Sequence, residues 1–563
     1  MAKTKSVKIL KFIFILSLPI LIFKCANQMS PGGGEIDKIP PEIIDVYPEF
    51  GTINFQDNFF ELTFSEYVDK RSVQDAIFVS PALEGELKYD WSGKTLEISF
   101  KDTLRSNTTY TVTIGTDVVD YNNRNRMAQA FNLIFSTGNE IDKGQIEGKI
   151  YDKDPAGVMV FAYRKSDSLF NPSKFKPDYI SQVGRNGFYK LMGMSDGEYR
   201  VLAVRDEYRD FIYNIEQDQF GAPYTDVTIN DTDSLFTDLN FFLAIEDTTP
   251  PHLVSAVMTD INHILVEFSE NIDSSLISAD NFSVIDSTSG NIYKTNYFYK
   301  GQAKQNHFFV TVTDTLREEN QVYIECKNFT DKYSNATMLE TANLSVSTKP
   351  DTLPVKLLKT ISEYENKVVD FETPYIIFYF DDAFARTGIT DAVKIVDSKE
   401  NQIAYRVTNL DDASFRIDIS GRLKPKSDYT AEIQFGLLTD AAGNRLDSLY
   451  KIKFTTINNL DFTGISGRIF IQEDSVKPLV VMQNVDRKEK VYKQVVNKDA
   501  AFDFKKIMPG KYIVWSFIDE NRNNEYDRGS INPYLPAERF VFYPDTINAR
   551  ARWPVGDVFV NFK

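Results

Sequence analysis

The segment Asp519-Glu520-Asn521-Arg522-Asn523-Asn524-Glu525-Tyr526-Asp527 carries the sharpest chemical pattern in this 563-residue chain. Oxygen-bearing side chains recur at every second position and a turn former stands sixth, as at the start of a calcium-binding loop. A hard divalent cation takes six or more oxygens, and Asp519, Asn521, Asn523, Asp527 and the Glu525 carbonyl could supply several. Asn524 stands where such loops carry Gly, and Ser530 stands where they carry a bidentate Glu. Asn tolerates the left-handed turn, so the first departure is mild. The competing reading is a solvated acidic loop held by Asn and Asp turn bonds. Upstream, Asp206-Glu207-Tyr208-Arg209-Asp210 occupies the matching place without the alternation, so no second calcium site is expected there.

Other reactive residue types are scattered. Glu66 and Glu270 occupy the same place in two repeats, but paired carboxylates act on a glycoside only when they flank one cleft. A turn role in each repeat is expected instead. The chain has no His-Glu-x-x-His or phosphate-loop pattern, and nothing groups a nucleophile with a base and an orienting residue. Of three His, His252 follows a proline pair and His307 opens a strand pattern, and both read as incidental surface residues. Cys326, within Val322-Tyr323-Ile324-Glu325-Cys326, reads as a small buried hydrophobe on an alternating strand. With two Cys in all there is neither a disulfide framework nor a zinc site. A non-enzymatic protein is expected.

The bulk composition fits that expectation. Aromatics reach 13%, mostly 43 Phe and 29 Tyr, residues suited to a pleated, half-buried surface. The net charge is −17, and the first 24 residues contribute five Lys and no acid. Without them 58 basic side chains face 80 acidic ones, a balance of −22. Such a surface repels phosphate backbones and argues against nucleic-acid binding. It also repels an anionic membrane, so attachment there needs a dedicated anchor.

The N-terminus offers one. Lys3, Lys5, Lys8 and Lys11 precede an apolar run from Phe12 to Phe23, and Cys25 follows within two residues. This is the layout of an export signal, short for a permanent span of about 20 residues. The arrangement resembles a bacterial lipoprotein precursor. That resemblance implies removal of residues 1–24 and acylation of Cys25, whose acyl chains would anchor the protein. The alternative is an uncleaved anchor with an incidental Cys; both place the N-terminus at a membrane. Residues 25–36, polar and rich in Gly, read as a flexible tether.

Self-comparison organises the rest. Leu62-Thr63-Phe64-Ser65-Glu66 returns as Val266-Glu267-Phe268-Ser269-Glu270, and more weakly as Ile377-Phe378-Tyr379-Phe380-Asp381-Asp382. Matching strands follow each copy and close on Ser136-Thr137, Ser347-Thr348 and Thr455-Thr456. Two of these units open on Pro40-Pro41 and Pro250-Pro251, and the third follows Pro350 and Pro354, which gives stiff, extended entries. A second repeat pairs Gly197-Glu198-Tyr199-Arg200-Val201 with Gly510-Lys511-Tyr512-Ile513-Val514, and Gly148-Lys149-Ile150 with Gly467-Arg468-Ile469.

The first kind of unit, with its Phe-Ser-Glu strand and the Asp440-Ala441-Ala442-Gly443-Asn444 turn, resembles bacterial Ig-like domains of the S-layer type. The second resembles transthyretin-like, carboxypeptidase-regulatory-like domains. With its N-terminus, the chain resembles the Ig-like-domain lipoproteins of Bacteroidota. The expected fold is all-β: tandem Ig-like β-sandwiches interleaved with transthyretin-like β-sandwiches. Ig-like domains are expected over 37–138, 247–349 and 350–458, and transthyretin-like ones over 139–246 and 459–563. If straight, five such modules would reach about 200 Å. The function implied is that of an outer-membrane lipoprotein on the periplasmic or cell-surface face, a structural or interaction subunit of a larger outer-membrane protein assembly. The alternative is a surface glycan- or protein-binding lipoprotein, with Trp91, Trp515 and Trp553 as residues to inspect and Trp515 expected in a core.

Overall fold

The computed structural model describes residues 36–562 apart from 84–86, 102–103, 166–169, 365, 386–387, 473–476 and 497–499. The export segment, Cys25 and the tether up to residue 35 lie outside the described residues. The regular secondary structure is nearly all strand. Period-two patterning is the reason: Phe59–Phe64 buries Phe60, Leu62 and Phe64 and leaves Phe59, Glu61 and Thr63 half-exposed.

By Cα packing the chain divides into two compact units. One holds the residues up to Phe170, Lys176–Arg205 and Asp226–Leu239; the other holds Asn171–Phe175, Asp206–Thr225 and Asn240–Lys563. The division runs through the segment 139–246 rather than along its ends.

In the first unit, a sheet ordered Ile43–Tyr47, Phe59–Phe64, Thr95–Phe100, Leu87–Ser92 faces a sheet of Ile77–Ser80, Thr109–Ile114 and Phe131–Ser136. Leu62, Phe64, Leu96 and Ile98 meet Tyr110, Val112, Leu133 and Phe135 in the core between them. Thr109–Ile114 breaks the alternation, for all six residues are buried. Its outer face is covered by the next segment: Thr111 Oγ1 donates to the Met192 carbonyl (2.9 Å), and Thr116 Oγ1 to the Val183 carbonyl (3.0 Å).

The second unit repeats the two-sheet plan at 350–458. There Leu357–Ser362, Tyr375–Phe380, Ser414–Ile419 and Tyr405–Asp411 form one sheet. The segment 247–349, expected to be an Ig-like sandwich, differs in detail. Its seven strands, Leu253–Met258 to Ala336–Ser345, close into a barrel through a parallel pairing of Ala256 with Leu344. The ten-residue strand Asn291–Lys300 makes closure possible, because it pairs with Phe282–Asp286 at one end and His307–Val312 at the other, with a bulge between Thr295 and Phe298.

The other repeat is matched at the level of register. Gly144–Tyr151 pairs antiparallel with Phe188–Met194 and parallel with Leu235–Phe236; Thr463–Phe470 pairs likewise with Ala501–Ile507 and Val555–Asn561. Gly197 faces Ile229 and Tyr199 faces Val227, as Gly510 faces Ala549 and Tyr512 faces Ile547. Each of these tyrosines donates to the carbonyl four residues upstream, Tyr199 to Ser195 (2.8 Å) and Tyr512 to Met508 (2.7 Å). The repeated Gly148 and Gly467 share one cause. A Cβ on Gly148 would lie 2.0 Å from the Leu239 carbonyl oxygen, and one on Gly467 would lie 1.8 Å from that of Val558.

Within the second unit the chain is not an open string. Phe242 packs among Trp515, Tyr526, Phe540 and Phe542, with ring centroids 4.3–5.5 Å away. Buried Glu246 accepts the amides of Ile531 (2.8 Å) and Asn532 (3.0 Å) and the Tyr213 hydroxyl (3.0 Å). An aromatic box and a satisfied carboxylate thus join residues 240–246 to the last segment. Trp515 belongs to that box, half-buried, rather than to a sandwich core.

The glycine contacts set a contrast. Gly467→Ala should destabilise by about 1–3 kcal/mol, because the Val558 carbonyl is held by its own strand and must shift. Gly556→Ala, in the partner strand with its Cβ 3.9 Å from the nearest atom, should stay within about 0.5 kcal/mol. Urea titration followed by tryptophan fluorescence separates the two.

Candidate functional site

The residues conspicuous in the sequence gather at the entries of the Ig-like segments. A proline pair leaves the next residue as the first amide donor, and the motif serine takes that residue in both directions. Ser65 donates its amide to the Glu42 carbonyl (2.8 Å) and accepts the Glu42 amide on Oγ (3.0 Å). Ser269 holds His252 in the same way, at 2.8 Å and 2.8 Å. In the third segment Asp381 replaces the serine and holds Lys356, at 3.1 Å and 2.7 Å.

Three carboxylates stand beside each clamp. The first belongs to the entry: Asp37, Asp247 and Asp351 accept the amide two residues on, from Ile39 (2.9 Å), Thr249 (3.3 Å) and Leu353 (3.0 Å). The second follows the clamp: Glu66, Glu270 and Asp382. The third opens a turn: Asp120, Asp331 and Asp440 are buried and take the amides of Asn125 (2.6 Å), Asn335 (2.8 Å) and Asn444 (2.7 Å). Those asparagines donate from Nδ2 to the carbonyls of Asp37 (3.0 Å), Asp247 (3.0 Å) and Asp351 (3.4 Å), tying turn to entry. Glu66 and Glu270 are therefore members of separate triads. Burial, with Asp120 and Asp37 nearby, holds the Glu66 carboxyl above its ordinary range; burial with Asp247 and Asp331 does the same for Glu270. Asp440 is raised too, by burial and by Asp382 and Asp351.

His263 joins the third triad from the preceding segment. Its Nε2 lies 2.7 Å from Asp382 Oδ1, and its Nδ1 lies 2.9 Å from Asp260 Oδ1 and 3.9 Å from Asp351 Oδ2. Burial alone would pull the imidazole down, but the hydrogen bonds and charges of Asp260 and Asp382 outweigh it and push the pKa up to about 10. The sequence reasoning did not single out His263. The available signal was Asp260-Ile261-Asn262-His263, whose Asp also accepts the amides of Asn262 and His263, both at 2.9 Å.

Acidic groups also hold the neighbouring segments of this unit together. The bulge at Phe298 leaves its amide to Asp412 Oδ2 (2.8 Å), and Asp411 Oδ2 takes the Lys300 amide (3.2 Å). Further on, Lys490 Nζ donates to the Glu363 carbonyl (2.6 Å), and Lys506 pairs with Glu372. These residues border a cleft of about 600 Å³ that also touches Tyr364, Tyr375 and Tyr492. The Glu363 carboxylate accepts the amides of Tyr375 (2.8 Å) and Asp370 (3.3 Å), yet burial pushes its pKa up to about 7.

The loop 519–527 turns its oxygens inward. Asp519 accepts the amides of Asn523 (3.1 Å) and Asn524 (2.9 Å), Asn521 Oδ1 that of Asn523 (3.0 Å), and Asn523 Oδ1 that of Glu525 (2.7 Å). Asn521 Nδ2 donates to Asp527 (2.6 Å), and Glu525 pairs with Lys493 (2.6 Å). Asn524 is left-handed at φ 61°. Asp206 closes the matching loop by accepting Arg209 (2.7 Å) and Phe211 (2.9 Å), so the first Asp has the same turn role with or without the alternation.

Elsewhere, Cys326 is fully buried and burial raises its thiol well above the ordinary range. His252 is exposed beside Glu340 (2.7 Å), and His307 is half-buried, 3.4 Å from Glu267. Trp91 is half-buried and Trp553 is 75% exposed.

Comparison with known proteins places two segments. Residues 37–137 and 351–456 match the family model for a bacterial Ig-like domain. No curated protein sequence matches the chain. Among solved structures, the chain is similar to the surface-layer protein SbsC, domains 1–6 (10% identity, TM-score 0.16, covering 86% of this chain and 66% of that one). The N-terminal part of the same protein matches at 11% identity and TM-score 0.17, covering 37% of this chain and 45% of that one. The major pilin subunit BcpA of Bacillus cereus matches at 10% identity and TM-score 0.14, covering 75% of this chain and all of that one. The chain spans 45–66% of the length of these S-layer structures. The two matched segments share a device that the unmatched 247–349 lacks: Tyr110 and Tyr429 accept the amides of Arg105 (2.9 Å) and Lys424 (3.0 Å), where Val322 stands in the middle copy. Residues 37–137 and 351–456 are thus similar to bacterial Ig-like domains.

Glu363 sets a pH dependence. An acid whose folded pKa lies above its unfolded value keeps a proton that the unfolded chain has shed, so stability falls as pH rises from about 4.5 to 7 and is level beyond. Glu363→Gln keeps an acceptor for the Tyr375 amide, gives up the longer contact from Asp370 (3.3 Å), and should remove that slope. The variant should be flat across pH, above the parent at pH 8 by up to roughly 3 kcal/mol less the lost contact and somewhat below it at pH 4, read from urea midpoints across pH.

Proposed function

We propose that the chain is a non-catalytic structural or interaction subunit of the outer membrane, anchored through acyl chains on Cys25 and docked to a larger outer-membrane protein assembly. The observation that carries this reading is the bracing within the second unit. The Phe242 box, Glu246 and the Asp411, Asp412 and His263 contacts fix successive segments against one another. A ligand-gated enzyme needs a mobile cleft; a docking subunit needs its modules held in one arrangement, so that partner contacts meet no ordering cost. The acidic balance of the mature chain and the bacterial Ig-like domains are consistent with an exported spacer of this kind.

Cys25→Ser should abolish incorporation of radiolabelled palmitate in cells and move the protein from the membrane to the soluble fraction. Purification from native membranes in mild detergent should bring down an outer-membrane protein in fixed ratio. A parent protein that takes up no label, or one that migrates alone, would overturn the anchor or the partnership respectively.

A second reading, a glycan-binding surface, is favoured by Tyr67 and Tyr121. They are 59% and 71% exposed on either side of a shallow pocket that includes Asp69 and Arg71. Tyr121→Ala should then lower retention on a glycan array by at least tenfold, and unchanged retention would exclude that pocket.

A further inference from the structure

The triad at the third Ig-like entry is built for more than turn formation. Asp351, Asp382 and Asp440 each bring one oxygen to within 4.8 Å of the others. Two oxygens bound at about 2.4 Å to one calcium ion can be no farther apart than about 4.8 Å, so the three fit a single coordination sphere. The arrangement of Asp440 points the same way. Its Oδ1 is used by the amides of Ala442 (3.1 Å) and Asn444 (2.7 Å), while Oδ2 is buried and has no hydrogen-bond partner, in a residue only 4% exposed. A buried carboxylate oxygen without a donor costs free energy unless a cation meets it. His263 Nε2 lies 2.7 Å from Asp382 Oδ1 and so occupies one oxygen of that ligand, while Asp440 Oδ2 is left without a partner.

We propose that Asp351, Asp382 and Asp440 bind a calcium ion. The ligand oxygens of Asp247, Glu270 and Asp331 also lie within 4.8 Å of one another, but both oxygens of Asp331 already accept hydrogen bonds, Oδ1 from the Asn335 amide and Oδ2 from Asn335 Nδ2, so no ion is assigned there. The all-oxygen donor set selects a hard cation, and the incomplete set leaves room for carbonyls and water, which suits calcium better than the stricter octahedron of magnesium. The site draws one ligand from the entry, one from the strand after the clamp and one from the turn. A bound ion therefore cross-links three stretches of chain that meet where one Ig-like segment begins. This assignment is independent of the anchor and of the partner proposed above.

Equilibrium dialysis of the full chain in detergent against calcium-45, with thermal melts in calcium or magnesium, tests it. The parent should bind calcium and melt several degrees higher in calcium than in magnesium. Asp440→Asn should lose one bound calcium per chain, whereas Asp519→Asn, in the acidic loop of the last segment, should not affect that ion. If Asp440→Asn does not fold, Asp351→Asn is read in its place, since its half-buried entry position needs only one amide contact. A parent that binds no calcium at millimolar concentration overturns the proposal. So does a folded Asp440→Asn or Asp351→Asn with the parent's stoichiometry, or calcium uptake that disappears with Asp519→Asn alone.

Discussion

Each Ig-like segment depends on how its first strand is tied down after a stretch rich in proline. Proline fixes φ and offers no donor, so the entry cannot be held by a continuous ladder. The chain holds it with side chains: a Ser or Asp that grips the next residue by both amide and carbonyl, and an Asn from a distant turn that grips the entry Asp. That turn is itself folded around a buried Asp. The turn residues Asp120, Asp331 and Asp440 at its centre are buried, while the clamps lie at half-buried or exposed positions. Loss of one of those buried carboxylates leaves the amides folded around it unsatisfied, which costs more than the lost bond itself. A sequence signature that looks like paired catalytic acids is thus the footprint of a structural knot.

The knot explains why the acids of adjacent segments end up facing each other. An entry is also the end of the preceding domain, so the entry carboxylate is brought beside whatever the neighbour presents. At residue 351 the neighbour presents His263, which bridges Asp260 on its own segment and Asp382 on the next. A buried ion pair of this kind contributes little net stability compared with an apolar contact of the same volume. Its geometric demand is strict, however, and it has a hydrogen-bonding partner on each side. Together with Asp411 and Asp412, which cap amides released by the bulge at Phe298, it favours one setting of the two segments over many that would bury similar area.

Much of this was legible in the sequence, and the reasons are local. Alternation in Leu62-Thr63-Phe64 and Ile377-Phe378-Tyr379 reports a half-buried strand directly, because the period of two is a property of the backbone. The Gly148 and Gly467 repeat was visible for a different local reason: a Cβ at either position would lie about 2 Å from a neighbouring carbonyl oxygen, so only glycine fits there. Thr109–Ile114 was harder, since its outer face is covered by another segment and its pattern loses meaning once both faces are buried. The aromatic box escaped as well. Phe242 and Trp515 are far apart in sequence, and a ring that packs across segments reads no differently from one in a core. His263 was missed because a lone His carries no period; only the fold brings Asp382 to it.

The two uses of acid in this chain are distinguishable by what their oxygens face. In the loop after Gly510–Ile518, the amides of Asn523, Asn524 and Glu525 point back at Asp519, Asn521 and Asn523, so the side chains are occupied by their own backbone. Asp206 shows that this arrangement survives when the alternating pattern is lost, which marks it as a property of the turn. At the third Ig-like entry the amides satisfy only one oxygen of Asp440, and the other is buried without a hydrogen-bond partner in a carboxylate within 4.8 Å of those of Asp351 and Asp382. Like charges held that close in a poorly hydrated place repel, and folding tolerates them only if something positive is shared. Sequence pattern favoured the first location and buried geometry favours the second. The difference follows from the fact that a linear motif records spacing along the chain, while coordination depends on oxygens contributed by strands and turns that meet only after folding.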